Sequence, residues 1–449
     1  MAIKTFKVVT LGCKVNQYES AYLEEAFLDR GWSRVQSNAA ADTVVINTCV
    51  VTSRASYQSR QAIRKAIREN PAARVVATGC YAQIEPEALA EIQGLGLIAG
   101  NTWKGRLPRV LFEDEGPEVP RILQEPFPSR PCFEVLPVRG HPGRTRAFLK
   151  IQDGCRSFCT YCIVPYARGG LRSLDPDDVV EALRRFCSEG YREVVLTGIH
   201  LGKYGVDQDP PFHLKALLRR IGRENLPLRI RISSLEPEEI DMELVDFAAS
   251  EPWVCRHFHM PMQSGDNGVL ERMNRRYTSE AFARTVESLH QRLPEAGIGA
   301  DVLVGFPGET DAAFENTRSR IESLPLSYLH VFRYSPRPGT PAAGFPDPVP
   351  AGVAKERAAV LRKLGRTKRE AFYRSCLGKV YPVIAEAWQG LAGGWARGLA
   401  DNYLPVTFPC GRAPGGEPLP VRAERLEEDG VAGRLVSPFE AASVPRPGR

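Results

Sequence analysis

The stretch AFLKIQDGCRSFCTYC, residues 147–162, runs from a strand-like segment into a short loop that holds Cys155, Cys159 and Cys162. The chain beyond this loop alternates strand and helix. Strand candidates lie at Ala147 to Gln152, Glu193 to Thr197, Leu228 to Ile232, His257 to Met260, Ile298 to Val304 and Tyr328 to Tyr334, with helix-like stretches such as Asp177 to Glu189 between them. Six such units fall short of the eight of a closed β/α barrel. The pattern therefore predicts an open, partial (β/α)6 barrel over residues 141–372.

Upstream, residues 1–101 alternate β-branched runs (Phe6 to Thr10, Thr43 to Ile46, Arg74 to Ala77) with helical stretches (Glu19 to Arg30, Ser53 to Glu69), which predicts a parallel α/β sheet domain. Residues 102–140, rich in Pro, Gly and charge, are expected to be a linker. Downstream, the helix-like segment Val353 to Cys376 carries eight basic residues from Lys355 to Arg374, either a solvated face or an RNA contact. Short strands separated by Gly and Pro then predict a small OB-like β-barrel over residues 373–441. The fold class is thus α/β with a terminal β-barrel.

The 449 residues are 43% hydrophobic and 25% charged, which is ample for more than one core. No apolar run approaches the roughly 20 residues that span a bilayer, and MAIKTFKVVTLGC leads directly into a strand pattern, so a cytoplasmic location is expected. The net charge of +6 favours an anionic partner without requiring one. Eleven cysteines in a reducing compartment point to metal binding or catalysis for those that cluster.

Cys155, Cys159 and Cys162 can hold three irons of a four-iron cubane and leave the fourth iron open to a chelating ligand. Zinc would want a fourth thiolate or imidazole at regular spacing, and only His141 or His200 could fold in. A second triad is spread along the N-terminal domain, where KVVTLGC, TVVINTC and RVVATGC end in Cys13, Cys49 and Cys80. Ligands gather outside the carboxyl ends of parallel strands, so these three thiols are expected to converge. Cys132, Cys187, Cys255, Cys376 and Cys410 have no such pattern and are expected to be structural.

The C-x3-C-x2-C loop with Tyr161 before its last cysteine resembles the signature of the radical S-adenosylmethionine superfamily, and GCRSFCTYCIVPYARG resembles its methylthiotransferase branch. The likeness extends over essentially the whole chain; Arg156 stands where the family more often has Asn. The resemblance implies one [4Fe–4S] cluster on Cys155, Cys159 and Cys162 that cleaves S-adenosylmethionine, and an auxiliary [4Fe–4S] cluster on Cys13, Cys49 and Cys80 that handles the inserted sulfur. It also implies that S-adenosylmethionine is held by Tyr161, Gly198, Ser233, Glu236, Gln263, Asp301 and Gly305, at barrel strand ends where glycines let backbone approach a ligand.

GLADNYLPVTF resembles the TRAM domain of this family, an RNA-binding module, and Arg366, Lys368, Arg369 and Tyr403 are the expected RNA contacts. The segment LGCKVNQYES resembles the branch acting on N6-threonylcarbamoyladenosine beside the anticodon of tRNA; the isopentenyladenosine branch tends to read GCQMN there. The implied reaction is methylthiolation at C2 of that adenosine 37. One S-adenosylmethionine methylates sulfur and a second yields the radical, with a flavodoxin or ferredoxin as electron donor, a separate sulfur donor and a monomeric enzyme. Alternatives are methylthiolation of isopentenyladenosine tRNA or of a ribosomal-protein aspartate, and, in a different class, a zinc-stabilised RNA-binding protein.

Overall fold

The computed structural model describes residues 3–35, 39–113, 120–389, 394–411 and 414–437. The stretch 114–119 of the expected linker and residues 438–441 of the expected terminal barrel lie outside the described residues.

Strands β1 (Thr5–Thr10), β2 (Ser33–Arg34), β3 (Thr43–Thr48), β4 (Arg74–Gly79), β5 (Leu95–Ala99) and β6 (Arg121–Leu123) form one parallel sheet in the order β2-β1-β3-β4-β5-β6. Val44, Val45 and Ile46 in β3 and Val75, Val76 and Ala77 in β4 are almost fully buried, as a sheet covered on both faces requires. The strand order reverses between β1 and β3, and such a switch opens a crevice at the carboxyl ends. The expected linker is partly structured. It supplies the helix Leu107–Glu113 and the edge strand β6, whose three residues RIL are too few to show a period.

A second parallel set comes next in the chain: β7 (Ala147–Lys150), the short antiparallel pair β8 (Gln152–Asp153) and β9 (Arg172–Ser173), then β10 (Glu193–Thr197), β11 (Arg229–Ile232), β12 (His257–Gln263), β13 (Gly297–Val304) and β14 (Tyr328–Arg333). The six long members pair as β7-β10-β11 and β12-β13-β14. The halves are joined through a single bridge, Ile230 with Val254, and the Leu235 amide donating to the His259 carbonyl at 3.1 Å. This is the open, six-stranded partial barrel, and its helices bury Val179, Leu183, Leu217, Val286 and Leu289 against it.

The long helix Ala351–Cys376 packs along β14 and leads into a closed barrel of β15 (Val380–Gln389), β16 (Trp395–Ala400), β17 (Pro405–Pro409), β18 (Leu419–Glu427) and β19 (Gly430–Leu435) in the order β15-β16-β17-β19-β18. It is anchored by charge. Buried Glu193 accepts from Arg229 Nε at 2.6 Å and Arg231 Nε at 2.7 Å, with Arg146 at 3.4 Å. The outer guanidinium nitrogens then donate to the carbonyls of Pro382, Leu399, Ala400 and Asp401 in the small barrel.

Because Glu193 is fully buried and these arginines hold its carboxyl well below the usual range despite that burial, Glu193→Ala leaves buried cations uncompensated. A loss of about 3–5 kcal/mol is expected, measured by denaturant unfolding with limited proteolysis at the junction to the small barrel. A change below about 1 kcal/mol, the scale of an exposed pair, would remove the anchoring role.

Candidate metal centres

In the N-terminal domain each cysteine of the dispersed triad comes directly after a strand or its closing turn. Cys13 is the N-cap of helix Lys14–Asp29 after β1, Cys49 is the residue after β3, and Cys80 opens helix Cys80–Ile84 after β4. Cys13 and Cys49 thus stand on the two sides of the sheet's switch point. Gly12, with φ +95°, lets the first loop close on the second, since a Cβ there would lie 3.0 Å from Cys49 Sγ. Burial raises the thiols of Cys13 and Cys49, the latter to about 11, and both feel the charge of Cys80. Cys13 is nonetheless exposed. It therefore faces a cleft walled by protein. Asn101 Nδ2 lies 3.6 Å from Cys80 Sγ.

The second triad sits on one loop at the end of β8. Gly154, with φ +76°, starts it; a Cβ at that position would stand 1.9 Å from the Gly170 carbonyl oxygen. The amides of Cys155 and Cys162 donate to the carbonyls of Gly169 and Cys159. Asn274 holds the carbonyls of Ser157 and Phe158, and Thr160 Oγ1 donates to the Arg272 carbonyl.

Two residues touch these sulfurs: His200, one of the two histidines the sequence offered beside this loop, and Arg275, which the sequence did not single out. His200 Nδ1 lies 3.6 Å from Cys155 Sγ, and its Nε2 is 2.8 Å from Glu239. Burial opposes the charged ring, but these two partners push His200 up to about 10. The Cys155 thiol is lowered even though burial works against it. Arg275 donates to Cys159 Sγ at 3.2 Å and also pairs with Glu236. Burial outweighs Arg275 at Cys159 and raises Cys162 to about 12. His141 lies elsewhere, 2.9 Å from the Phe148 carbonyl, and burial pushes it down to about 4.

Among the described residues, the one group of ligand-type atoms drawn within 4.8 Å of one another is His259, Asp301 and His330, where Asp301 Oδ1 accepts from both imidazoles. Neither cysteine triad is that compact. A single tetrahedral zinc, with sulfurs at about 2.3 Å, would hold its ligands roughly 4 Å apart. Wider convergence with three thiols per site suits a cubane that meets one thiolate at each of three irons. The donor sets and the glycine-tightened loops fit that group.

The residues expected around S-adenosylmethionine divide by position. Gly198 comes after β10 and packs on Gln152, Ser233 comes after β11, Gln263 ends β12 with φ +58°, and Gly305 comes after β13 with φ +77°. All four stand at strand ends. Tyr161 packs edge-on to Phe306, with 6.4 Å between ring centroids. Glu236 is taken up by Arg275. Asp301 departs from the expectation of a strand end: it lies mid-strand in β13, paired with His330 across β14. Glu309 and Arg357 are likewise structural, with Arg357 NH1 donating to Glu309 Oε1 at 2.6 Å while the Glu309 carboxylate accepts from the Gly305 amide.

The expected RNA contacts need correction in part. Lys368 donates to the carbonyls of Glu322 and Leu324 at 2.6 and 2.7 Å, closing the end of helix Asp311–Ser323, so its ammonium is not free for phosphate. Tyr403, with φ +71°, stacks on His257 with ring centroids 4.3 Å apart, at the docking surface between the two barrels. Phe408 is core. Arg366 is exposed, and Arg369 is half-buried. Of the thiols expected to be structural, Cys255, Cys376 and Cys410 are buried, Cys187 is half-buried and Cys132 is exposed.

Residues 5–100 match the model of the uncharacterized protein family UPF0004, and residues 149–321 match that of the radical SAM superfamily. A threonylcarbamoyladenosine tRNA methylthiotransferase of Aquifex aeolicus is 41% identical over 88% of this chain and 95% of its own length; one of Bacillus subtilis is 39% identical over 89% of each. A tRNA-2-methylthio-N(6)-dimethylallyladenosine synthase of Syntrophobacter fumaroxidans is 32% identical over 96% of this chain and 95% of its own. Among solved structures, the radical S-adenosylmethionine methyltransferase TsrM of Kitasatospora setae shares the fold at a TM-score of 0.55 and 18% identity, covering 76% of this chain and 77% of that one. Two thiol triads on separate domains, joined to relatives that align over nearly their full length, assign the chain to the methylthiotransferase family of radical S-adenosylmethionine enzymes.

Proposed function

We propose that this enzyme methylthiolates C2 of N6-threonylcarbamoyladenosine beside the anticodon of tRNA, with one four-iron cluster on Cys155, Cys159 and Cys162 and another on Cys13, Cys49 and Cys80. The observation that carries the substrate is the higher full-length likeness to relatives named for the threonylcarbamoyl nucleoside, 41% and 39%, than to the one named for the dimethylallyl nucleoside, 32%.

When bound, the clusters supply electrons and an open iron that S-adenosylmethionine can chelate. The chain positions the rest. His200 and Arg275 each place a hydrogen-bonding group on a sulfur of the barrel loop, and Glu239 and Glu236 orient them. Gly198, Ser233, Gln263 and Gly305 form the strand-end floor for the cofactor, with Tyr161 beside it. Arg366 and Arg369 remain the phosphate contacts on the long helix. No helix among the described residues is long and apolar enough to cross a membrane, and a tRNA substrate places the work in the cytoplasm. A flavodoxin or ferredoxin, a sulfur donor and a monomeric state complete this reading.

Lys14 gives the substrate preference a physical basis. It directly succeeds Cys13 in LGCKVNQYES, is exposed into the cleft, and lies within electrostatic reach of Arg146, Arg231 and Asp301 of the barrel. With Arg146 and Arg231 paired to Glu193 and Asp301 hydrogen-bonded to His259 and His330, the Lys14 ammonium is the group in that cleft that would attract an anion. The threonylcarbamoyl group carries a carboxylate; the isopentenyl group carries none. A glutamine at this position offers no charge.

Supplied with tRNA bearing each modification in parallel, the enzyme should methylthiolate the threonylcarbamoyl form alone, read by nucleoside mass analysis. Lys14→Gln should lower kcat/KM on that form by roughly 10- to 150-fold, since a hydrogen bond to a charged group contributes about 1.5–3 kcal/mol, and Lys14→Arg should retain most of it. Equal use of both tRNAs, or use of the isopentenyl form only, overturns the substrate.

A further inference from the structure

Arg168 ends the short helix Val164–Arg168, which begins two residues after Cys162, yet its side chain leaves that loop and enters the N-terminal domain. It is 1% exposed. NH1 donates to Glu19 Oε1 at 2.7 Å and to Asp153 at 3.3 Å; NH2 donates to Asn16 Oδ1 at 2.6 Å and Glu19 Oε2 at 3.2 Å. Its Nε is buried with no partner among the described residues. This guanidinium meets four of its hydrogens and leaves the fifth unmet, and an unmet buried donor costs about 1–3 kcal/mol.

Its neighbourhood holds thiols and buried charge. Cys13, Cys49 and Cys80 all feel its charge. Around Glu19 and Asp153, both nearly fully buried, stand Arg168, Lys104, Lys150 and Arg172, and Glu134 lines the same cleft beside the two lysines, four cations against three carboxylates. Such a buried surplus of positive charge calls for an anion alongside. Three thiolates make a four-iron cluster anionic, and an added electron makes it more so. Cluster potentials respond to hydrogen bonds to sulfur and to nearby charge.

We infer that Arg168 is a positioning residue for the cluster on Cys13, Cys49 and Cys80, donating its Nε–H to a sulfur of that group and, with the lysines around Glu19, raising its reduction potential. The reduction meant is the gain of one electron by the cluster from an external one-electron donor, with no bond made or broken. Arg168 belongs to the peptide that carries the other cysteine triad and packs on the helix opening at Cys80, where Asn101 bridges the Ala167 carbonyl and the Cys80 thiol. One side chain thereby couples the placement of the two sites. The inference rests on the assignment of a four-iron cluster to Cys13, Cys49 and Cys80.

The test uses the full chain with Cys155, Cys159 and Cys162 all replaced by alanine, reconstituted with iron and sulfide, so that one cluster remains. Iron content and an electron paramagnetic resonance redox titration are the readouts. Arg168→Met in that background should keep iron and shift the midpoint negative by at least a tenfold change in the reduction equilibrium, about 59 mV for one electron. Glu19→Gln, which removes a negative charge and keeps a polar side chain, should shift it positive; this variant decides the matter if Arg168→Met does not fold. Full iron with an unchanged midpoint, or iron lost with no shift in the clusters that remain, overturns the inference. No iron in the parent chain would instead overturn the cluster assignment itself.

Discussion

Alanine in place of any one of Cys155, Cys159 or Cys162 should abolish reductive cleavage of S-adenosylmethionine, lowering 5′-deoxyadenosine production by on the order of 10³-fold or more, the scale of losing an essential catalytic group. The three thiols occupy one loop whose conformation is over-determined by Gly154, Asn274 and Thr160. Removing one sulfur therefore leaves the other two where they are. His200 does not substitute for Cys159 or Cys162, because its ring is committed to Glu239 on one side and hydrogen-bonded to Cys155 and Ser157 on the other. The measurement is 5′-deoxyadenosine formed per chain under a strong reductant, with iron content alongside. Retained production in any of the three variants would sink the radical assignment.

Cys49→Ala should act on a different product. The methylthiolated nucleoside should fall by a comparable factor while 5′-deoxyadenosine is still made, because the two triads sit on separate domains and are proposed to divide the labour. Cys49 is well suited to this test. Its amide and carbonyl are both held by Ser59 Oγ, at 3.2 and 3.0 Å, so the loop does not depend on the thiol. Burial raises that thiol to about 11, so at neutral pH it is protonated until a metal claims it. Cys255→Ala, at a buried thiol between the barrels, should change neither product. Normal output of methylthiolated nucleoside from Cys49→Ala would remove the auxiliary site from the reaction.

The strands were legible because short apolar, aromatic or β-branched runs alternate with helical stretches. All six members of the partial barrel fall where those runs lie, from AFLK to YLHVFR. The three-residue edge strand β6 was not legible, since three residues carry no period. The basic helix misled for a related reason. Sequence shows that Lys368 and Arg357 are cationic, but not that the first meets the open carbonyls of a neighbouring helix and the second a buried glutamate. Tyr403 likewise reads as an available aromatic until the turn that bears it is seen docked on His257.

By itself the sequence determined where the thiols stand along the chain and where most of its strands run. Cysteine spacing is a covalent fact, and hydrophobic period arises from backbone geometry. Tertiary structure alone decided which charges meet those sulfurs. Arg275 lies 116 residues from Cys159 and His200 lies 45 from Cys155; away from the sulfurs, Arg168 lies 149 from Glu19. Pairings at such separations arise only when strand order and helix crossing bring distant loops to one end of a sheet. Burial then turns each of these contacts into a strong one, because a charge withdrawn from water must be answered by its neighbours.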